Sequence, residues 1–464
     1  MAKQNLPFSN LSSISPLDGR YRNKIEDLSS YVSEFTLIKT RVEVEIKYLI
    51  ALSKLGVARK LTSRELEQLN SIYQNFSFED AQKVKELEEK TRHDVKAMER
   101  TFRDLLLKTT LSDILEFVHF GITSEDINNL SQRLILKRAV NDVCFPAVEN
   151  LINELVIRAD AYKKIPMLAR THGQPAVPTT LGKELIVFAS RLSKETKKLK
   201  SLKLSGKLSG AVGNFNALNF AYPKIDWISF SKEFVLSLGF EPNLATTQIN
   251  TYEDIIEYFQ NIQRINNIII DFDQDMWRYI SDNWFVQENL KDEVGSSTMP
   301  QKVNPIDFEN SEGNLGLTNS IIEFMSRKLP ISRLQRDLSD STVIRNIGTV
   351  LGYSLVGYKS AMTGLSRVKP NTQQLKHDLE NDYSILTEGV QTLLRKANIS
   401  DPYSLIADLT RGQHLTKEKW QDLVDKLNID LENKKRLENL TPSFYIGLAV
   451  ELTEKAIKEI KEKK

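Results

Sequence analysis

The sequence predicts an all-α protein in three successive domains, with a central bundle of five long helices. Three observations carry that expectation. Ile255, Phe259, Ile262, Ile265, Ile269, Phe272, Met276 and Ile280 keep a helical spacing of three to four residues with no interior Gly or Pro. Stretches 147–165, 181–204 and 342–366 share this character, and the segment after Pro305 makes a fifth. Clean β alternation is scarce, so strands should be minor. Long helices with apolar faces bury them by packing as a bundle.

Taken in order, residues 1–111 form the first expected domain, charged and helical in period, with SEFTLIKTRVEVEIKYLIALSKLG stopping at Gly56 as a helix should. Residues 112–367 hold the long, more apolar helices. The last of these contains VLGYSLVGY and is apolar on more than one face, which predicts packing between subunits. Residues 368–464 return to high charge density and end in EKAIKEIKEKK, a solvated helix end. A chain of 464 residues agrees with about three domains.

Lys plus Arg (63) nearly balances Asp plus Glu (61), so no bulk positive field argues for nucleic acid or a membrane surface. Any anion must be met by local cations. The single cysteine, Cys144, excludes an intramolecular disulfide and reads as a small buried hydrophobe in a reducing compartment. The first residues lack the apolar core of a signal peptide, and nowhere do about 18 apolar residues run without a charge. The expectation is a soluble cytoplasmic protein.

Six polar segments break the helical period: 91–100, 119–134, 169–184, 209–216, 292–314 and 335–346. Each sets Thr, Ser, Asn, Gln, His, Lys or Arg beside Gly or Pro near the start of a helical run, where free N–H groups and the helix dipole attract anions. Each also has a plainer reading. Ser124 serves equally as an N-cap, His93, His119 and His172 as hydrogen-bonded core histidines, and the glycines of SGAVGN as turn formers. His377 and His414 read as surface residues. No two histidines lie four apart and one cysteine makes no cluster, so no metal is expected. Neither phosphate-binding glycine motif is present, so no organic cofactor is expected either. What remains is side-chain chemistry: a histidine acid, a base in a loop, and cations and amides for carboxylates. That inventory suits proton abstraction beside a carboxylate followed by loss of a leaving group.

The run GSSTMPQKVNP (295–305) resembles the signature of the fumarase and aspartase superfamily, whose members eliminate fumarate from a succinyl compound. SPLDGRY, TRHDVKAMER, TSEDINNL, RTHGQPAVPTTLGKE, GAVGNFNA and QRDLSDSTVIRN extend the likeness to the bacterial-type adenylosuccinate lyase family along essentially the whole chain. Fumarases and aspartases share the first signature but not DGRY or QRDLSDSTVIRN. The resemblance implies a homotetramer with shared sites. It also implies fumarate release from adenylosuccinate and from succinyl-aminoimidazole-carboxamide ribonucleotide, and a signature loop that closes over substrate.

By the same resemblance, Ser296 is the base that takes the succinyl Cβ proton, and His172 the acid that protonates the departing nitrogen. A serine hydroxyl is a very poor base, so Lys302 or the helix after Pro305 would have to ease its ionisation. Lys302 and Asn304, with Thr123 and Ser124, would hold the succinyl group. Arg20, Tyr21, Arg336, Ser341 and Arg345 would hold phosphate and ribose, and His93, Asp94 and Gln248 would complete the pocket. Arg92, Asn310, Thr342, Val343 and Ile344 join them as substrate contacts. Two positions depart from many relatives, Gln301 where His is common and Arg92 where Asn or Ser is. The rival readings are another fumarate-releasing lyase, such as an argininosuccinate lyase, and a silent helical scaffold.

Overall fold

A mostly helical chain needs breaks that satisfy its helix ends, and here the breaks follow local chemistry. The computed structural model describes residues 7–288, 294–295, 297–411 and 415–462. His414 and the last two lysines lie outside the described residues. The first helices are α1 (Arg22–Val32), α2 (Glu34–Leu55), α3 (Ser63–Gln74), α4 (Phe78–Thr91) and α5 (Asp94–Leu107). Gly56 caps α2 at φ +83°, the left-handed conformation that glycine adopts without a Cβ penalty, as the sequence predicts.

Helix α6 (Ser124–Ala139) runs through a π turn (Val140–Cys144) into α7 (Phe145–Tyr162). Pro146 lacks an N–H and would break a regular α ladder at this point, and the wider turn takes up the irregularity. The chain then forms a hairpin, β1 (Pro166–Thr171) with β2 (Gln174–Thr180), before α8 (Leu181–Ser201), β3 (Ser205–Gly206), α9 (Asn216–Ala221), α10 (Trp227–Ser237) and β4 (Glu241–Pro242). Next come α11 (Glu253–Ser281), β5 (Phe285–Gln287), α12 (Ile306–Lys328), α13 (Ser339–Ile344), α14 (Ile347–Ser366) and β6 (Val368–Pro370). The remaining helices are α15 (Thr372–Glu380), α16 (Thr387–Lys396), α17 (Pro402–Thr410), α18 (Lys417–Lys426), α19 (Leu431–Glu438) and α20 (Ala449–Glu462).

The five long helices expected from periodicity are therefore α7, α8, α11, α12 and α14. The stretch from 342 is shorter than expected. Its first residues form the separate α13, and α14 starts only at Ile347. Strands are minor: among the described residues they make three two-stranded sheets.

Contacts divide the chain into two compact units interleaved along the sequence, 1–147, 196–267 and 313–359 against 148–195, 268–312 and 360–464. Each long helix contributes residues to both. The first unit buries Tyr48, Leu49 and Leu52 of α2, Ile127 and Leu130 of α6, and Val350, Leu351 and Leu355 of α14. Its long helices are also pinned by polar contacts. Asn266 Nδ2 donates to Asn319 Oδ1 at 3.1 Å and Ser354 Oγ at 3.3 Å, and Tyr358 Oη donates to Asn266 Oδ1 at 2.7 Å. These four groups tie α11, α12 and α14 in one relative register. Cys144 is buried, and burial pushes its thiol up to about 12, so it is an inert core residue.

In the second unit, Phe272 meets Phe188 and Phe308 edge to face at 5.4 and 5.9 Å. A separate core gathers Leu168 of β1 with Leu379, Leu386, Val390, Leu394 and Trp420 of the C-terminal helices. At Gly182, α8 passes close to the backbone at the end of α7. A Cβ there would stand 2.3 Å from the Ala159 carbonyl oxygen and 2.5 Å from Lys163 Cα, both backbone atoms that cannot yield cheaply. We expect Gly182→Ala to cost about 1–3 kcal/mol through overpacking, read as a lowered denaturation midpoint. An unchanged midpoint would show that the two backbones separate freely.

Candidate active site

In the first unit, Thr123 takes the extended N-cap conformation of α6 and Ser124 is the first helical residue, so the cap is Thr123 rather than Ser124. Ser124 Oγ is thereby left 3.5 Å from His93 Nε2. His93 caps α5, and its Nδ1 accepts the Lys96 N–H at 3.2 Å. An imidazole that accepts at Nδ1 presents its N–H at Nε2, toward Ser124. Asp94 accepts from Arg41 at 2.8 Å and Arg345 at 3.1 Å. Burial alone would raise this carboxyl, but Arg41, the Val95 N–H and Arg345 outweigh it and lower it to about 2. Arg92 ends α4 with φ +52°, a left-handed conformation costly for a side chain of this size.

Gln248 is a junction. Its Nε2 donates to the Ala211 carbonyl at 2.9 Å, and its Oε1 accepts from Arg336 at 3.0 Å. Arg336 also faces Glu125 at 3.3 Å. Glu125 is buried with Oε1 unpartnered, and burial, opposed by Arg336, pushes its carboxyl up to about 7. Arg345 also reaches Glu34 at 3.5 Å. The Ser341 N–H donates to Asp340 Oδ1 at 2.6 Å, and Thr342 is exposed. Val343 and Ile344 are buried in the core of this unit. Arg20 is exposed and Tyr21 caps α1, in a segment whose Leu17 packs close to Gly352 of α14.

The second unit holds His172, Lys302, Asn304 and Asn310. Thr171 pairs with Gln174, so His172 and Gly173 form a two-residue turn, with φ +54° and +74°. Two positive φ values are the signature of a type I′ hairpin, whose twist matches its strands. This geometry exposes the His172 side chain instead of burying it as a core histidine. Arg170 anchors the strand, its guanidinium 5.7 Å from the Trp284 ring and 3.9 Å from Asp282.

Ser296 lies outside the described residues. Its neighbour Gly295 is held where the segment crosses itself: Asn304 Nδ2 donates to the Gly295 carbonyl at 2.6 Å, and a Cβ on Gly295 would fall 1.8 Å from the Lys302 carbonyl oxygen. Gln287 Nε2 donates to the Val303 carbonyl at 3.1 Å. Lys302 is exposed, and α12 begins directly after Pro305. Asn310 Nδ2 donates to Ser360 Oγ at 3.0 Å.

Sequence reasoning missed the buried charges behind these residues. Asp126 and Lys207 are both fully buried and paired at 2.9 Å. Glu45 is buried and bonded to His119 Nδ1 at 2.5 Å. His119, expected as a hydrogen-bonded core histidine, is largely buried and has that partner, whereas His93 is half exposed. Lys207 in KLSGAVG differs in no local way from a surface lysine. Only burial identifies it.

Comparison with known proteins places the chain among lyases. A family model described as "Lyase" matches residues 19–318, and one described as "Adenylosuccinate lyase C-terminal" matches residues 332–446. The adenylosuccinate lyase of Haemophilus influenzae is 47% identical over 454 residues, covering 97% of this chain and 100% of the relative. That of Escherichia coli is 44% identical over 453 residues, covering 97% and 99%. In fold, the chain is similar to a fumarate lyase from a Mesorhizobium species, with TM-score 0.77 and 15% identity over 93% of this chain and 97% of that one. It is also similar to a 3-carboxy-cis,cis-muconate lactonizing enzyme from Pseudomonas putida, with TM-score 0.74 and 16% identity over 94% and 97%.

The Glu45–His119 pair has a pH signature. Burial opposes the imidazolium, but Glu45, with smaller contributions from Glu99 and Asp126, holds the His119 pKa above its ordinary value. A raised folded pKa means the pair's stabilisation is complete below the unfolded value of about 6.5 and is lost as pH rises through the higher folded value. Glu45→Gln should therefore lower the denaturant midpoint more at pH 6 than at pH 9. A deficit equal at both would rule out this linkage.

Proposed function

The chain belongs to the adenylosuccinate lyase family, and from that premise we propose that it releases fumarate from adenylosuccinate, leaving AMP, and from succinyl-aminoimidazole-carboxamide ribonucleotide. The likeness to curated adenylosuccinate lyases over 97% of the chain carries this reading. The substrate bears about four negative charges, and the candidate residues include the cations Arg20, Arg92, Lys302, Arg336 and Arg345 in a chain of net charge only +2. No helix among the described residues is long and apolar enough to cross a membrane; a cytoplasmic place is part of the proposal.

In the proposed reaction Ser296 takes the Cβ proton, the electron pair forms the fumarate double bond, and the C–N bond breaks. His172 then protonates the departing nitrogen. The exposure of His172 on a fixed turn supports its part, because an acid must reach a substrate atom. Lys302 and Asn304, with Thr123 and Ser124, stabilise the carboxylate that carries charge in the intermediate. His93, Asp94, Gln248, Tyr21, Ser341, Thr342, Asn310 and Arg92 complete the proposed substrate contacts, to which Val343 and Ile344, whose side chains are buried, would add only their main chain.

A homotetramer with sites shared between subunits is part of the proposal. It is supported by α12, which keeps Leu317 and Phe324 exposed beside Gly313 and Gly316, where an added Cβ would meet nothing within 4 Å. Such a face admits close helix packing.

Fumarate release from adenylosuccinate, followed by ultraviolet absorbance, tests the function directly. Absence of release, with turnover of argininosuccinate instead, would assign the chain to another branch. His172→Ala and Ser296→Ala should each lose about 10²–10⁴-fold in turnover. Solvent exchange of the Cβ proton should survive in His172→Ala and vanish in Ser296→Ala, whereas the opposite pattern would exchange the two roles. Mixing the two inactive variants should restore part of the activity where the residues meet from different chains. No recovery after verified subunit exchange would contradict shared sites.

A further inference from the structure

Among the described residues, Lys207 is the one lysine in the set of largest fully buried side chains, and it has no place in the proposed chemistry. An ammonium has three N–H donors. All three have partners: Asp126 Oδ1 at 2.9 Å, the Gly210 carbonyl at 2.8 Å and the Gln248 carbonyl at 2.7 Å. With no donor left and no exposure, Lys207 has nothing to offer a ligand directly. Its main chain is equally committed, since its N–H donates to Asn129 Oδ1 at 3.0 Å and its carbonyl accepts from Asn129 Nδ2 at 2.9 Å.

The counter-charge is used in the same way. Asp126 Oδ2 accepts the Thr123 N–H at 2.8 Å and the Gly210 N–H at 3.1 Å, and Oδ1 accepts the Ser209 N–H at 2.9 Å. The ion pair thus joins the start of α6, where Thr123 and Ser124 stand, to the glycine loop SGAVGN (209–214) and to the backbone of Gln248. We infer that Lys207, with Asp126, is a positioning residue of the elimination, setting Thr123, Ser124 and Gln248 in register through the glycine loop while touching no substrate atom itself. This rests on the function proposed above.

The geometry favours positioning over plain stabilisation. A buried pair is often no better for stability than an apolar pair of the same volume, yet every bond made by this one ends on a site segment. Displacement of a substrate-holding group by about 1 Å is expected to cost roughly 10²-fold in turnover.

The test compares the wild type with Lys207→Met and with Lys207→Met/Asp126→Asn, the latter leaving no lone buried charge where the single variant fails to fold. Fumarate release from adenylosuccinate and inhibition by AMP are measured on each, with circular dichroism confirming the fold. We expect kcat to fall about 10²-fold, with AMP inhibition changed much less, because of the phosphate-holding cations only Arg336 depends on Gln248 while Arg20 and Arg345 are untouched. Wild-type kcat in a folded variant overturns the inference. So does an equal loss of kcat and AMP affinity, which marks general loosening. A wild type that releases no fumarate fails the proposed function instead. Amide exchange over residues 205–216 then decides the positioning role on its own: faster exchange in the variants supports it, and unchanged exchange overturns it.

Discussion

A carboxylate with no access to water must find its hydrogen bonds inside the protein, and the first unit is organised around that requirement at Asp126. Its two oxygens collect backbone N–H groups from Thr123, Ser209 and Gly210 and the ammonium of Lys207. An isolated buried charge costs several kcal/mol, so each of these donors has to be where it is whenever the unit is folded. The register of the α6 start against the glycine loop therefore follows from an electrostatic necessity more than from surface packing.

The same logic explains why charge was admitted to the interior at all. The long helices need only apolar faces to pack, and Ile255, Phe259, Ile262 and Ile269 supply them. Those contacts tolerate sliding, since one apolar side chain resembles another. Directional bonds do not. Asn266, Asn319, Ser354 and Tyr358 give α11, α12 and α14 a specific relative register, and Arg133 clamps Asp254 through two nitrogens at 2.9 and 2.7 Å. Glu125 is one exception, and Asp273, buried with neither oxygen partnered, is another. One oxygen of Glu125 lacks a partner, and its carboxyl is pushed up to about 7. A raised folded pKa means this burial is tolerated at low pH and costs increasing stability as pH rises from the unfolded value toward about 7.

Helices were legible in the sequence wherever one physical signal dominated. The apolar period of 255–280 and the glycine after Leu55 each predict an element that the structure contains. The stretch from 342 was less legible because its apolar period continues through Arg345 and Asn346, where the backbone breaks between α13 and α14. At the proposed site, the motif residues were named through resemblance, but the buried groups bonded to them carried no sequence signal. Lys207, Asp126, Glu125 and Glu45 are ordinary polar residues in a helical chain until burial removes their water. Burial is a property of residues far apart in sequence: Lys207 is separated by 81 positions from Asp126 and by 41 from Gln248.

Two candidate segments use a different device, backbone conformation in place of buried charge. His172 stands on a turn whose two residues both have positive φ, so its direction is set by the turn type and by strands paired on either side. Gly295 stands where the chain passes so close to the Lys302 carbonyl that no side chain fits, with Asn304 bonding the crossing from the other side. A side chain placed by a turn, as that of His172 is, needs no neighbours packed over it and can remain exposed to solvent. That is what a group exchanging protons with a substrate requires, and it is what a packed helix face cannot supply. Buried charge therefore suits residues that hold the segments of the site in register, while exposed, backbone-defined positions suit side chains that must meet a ligand.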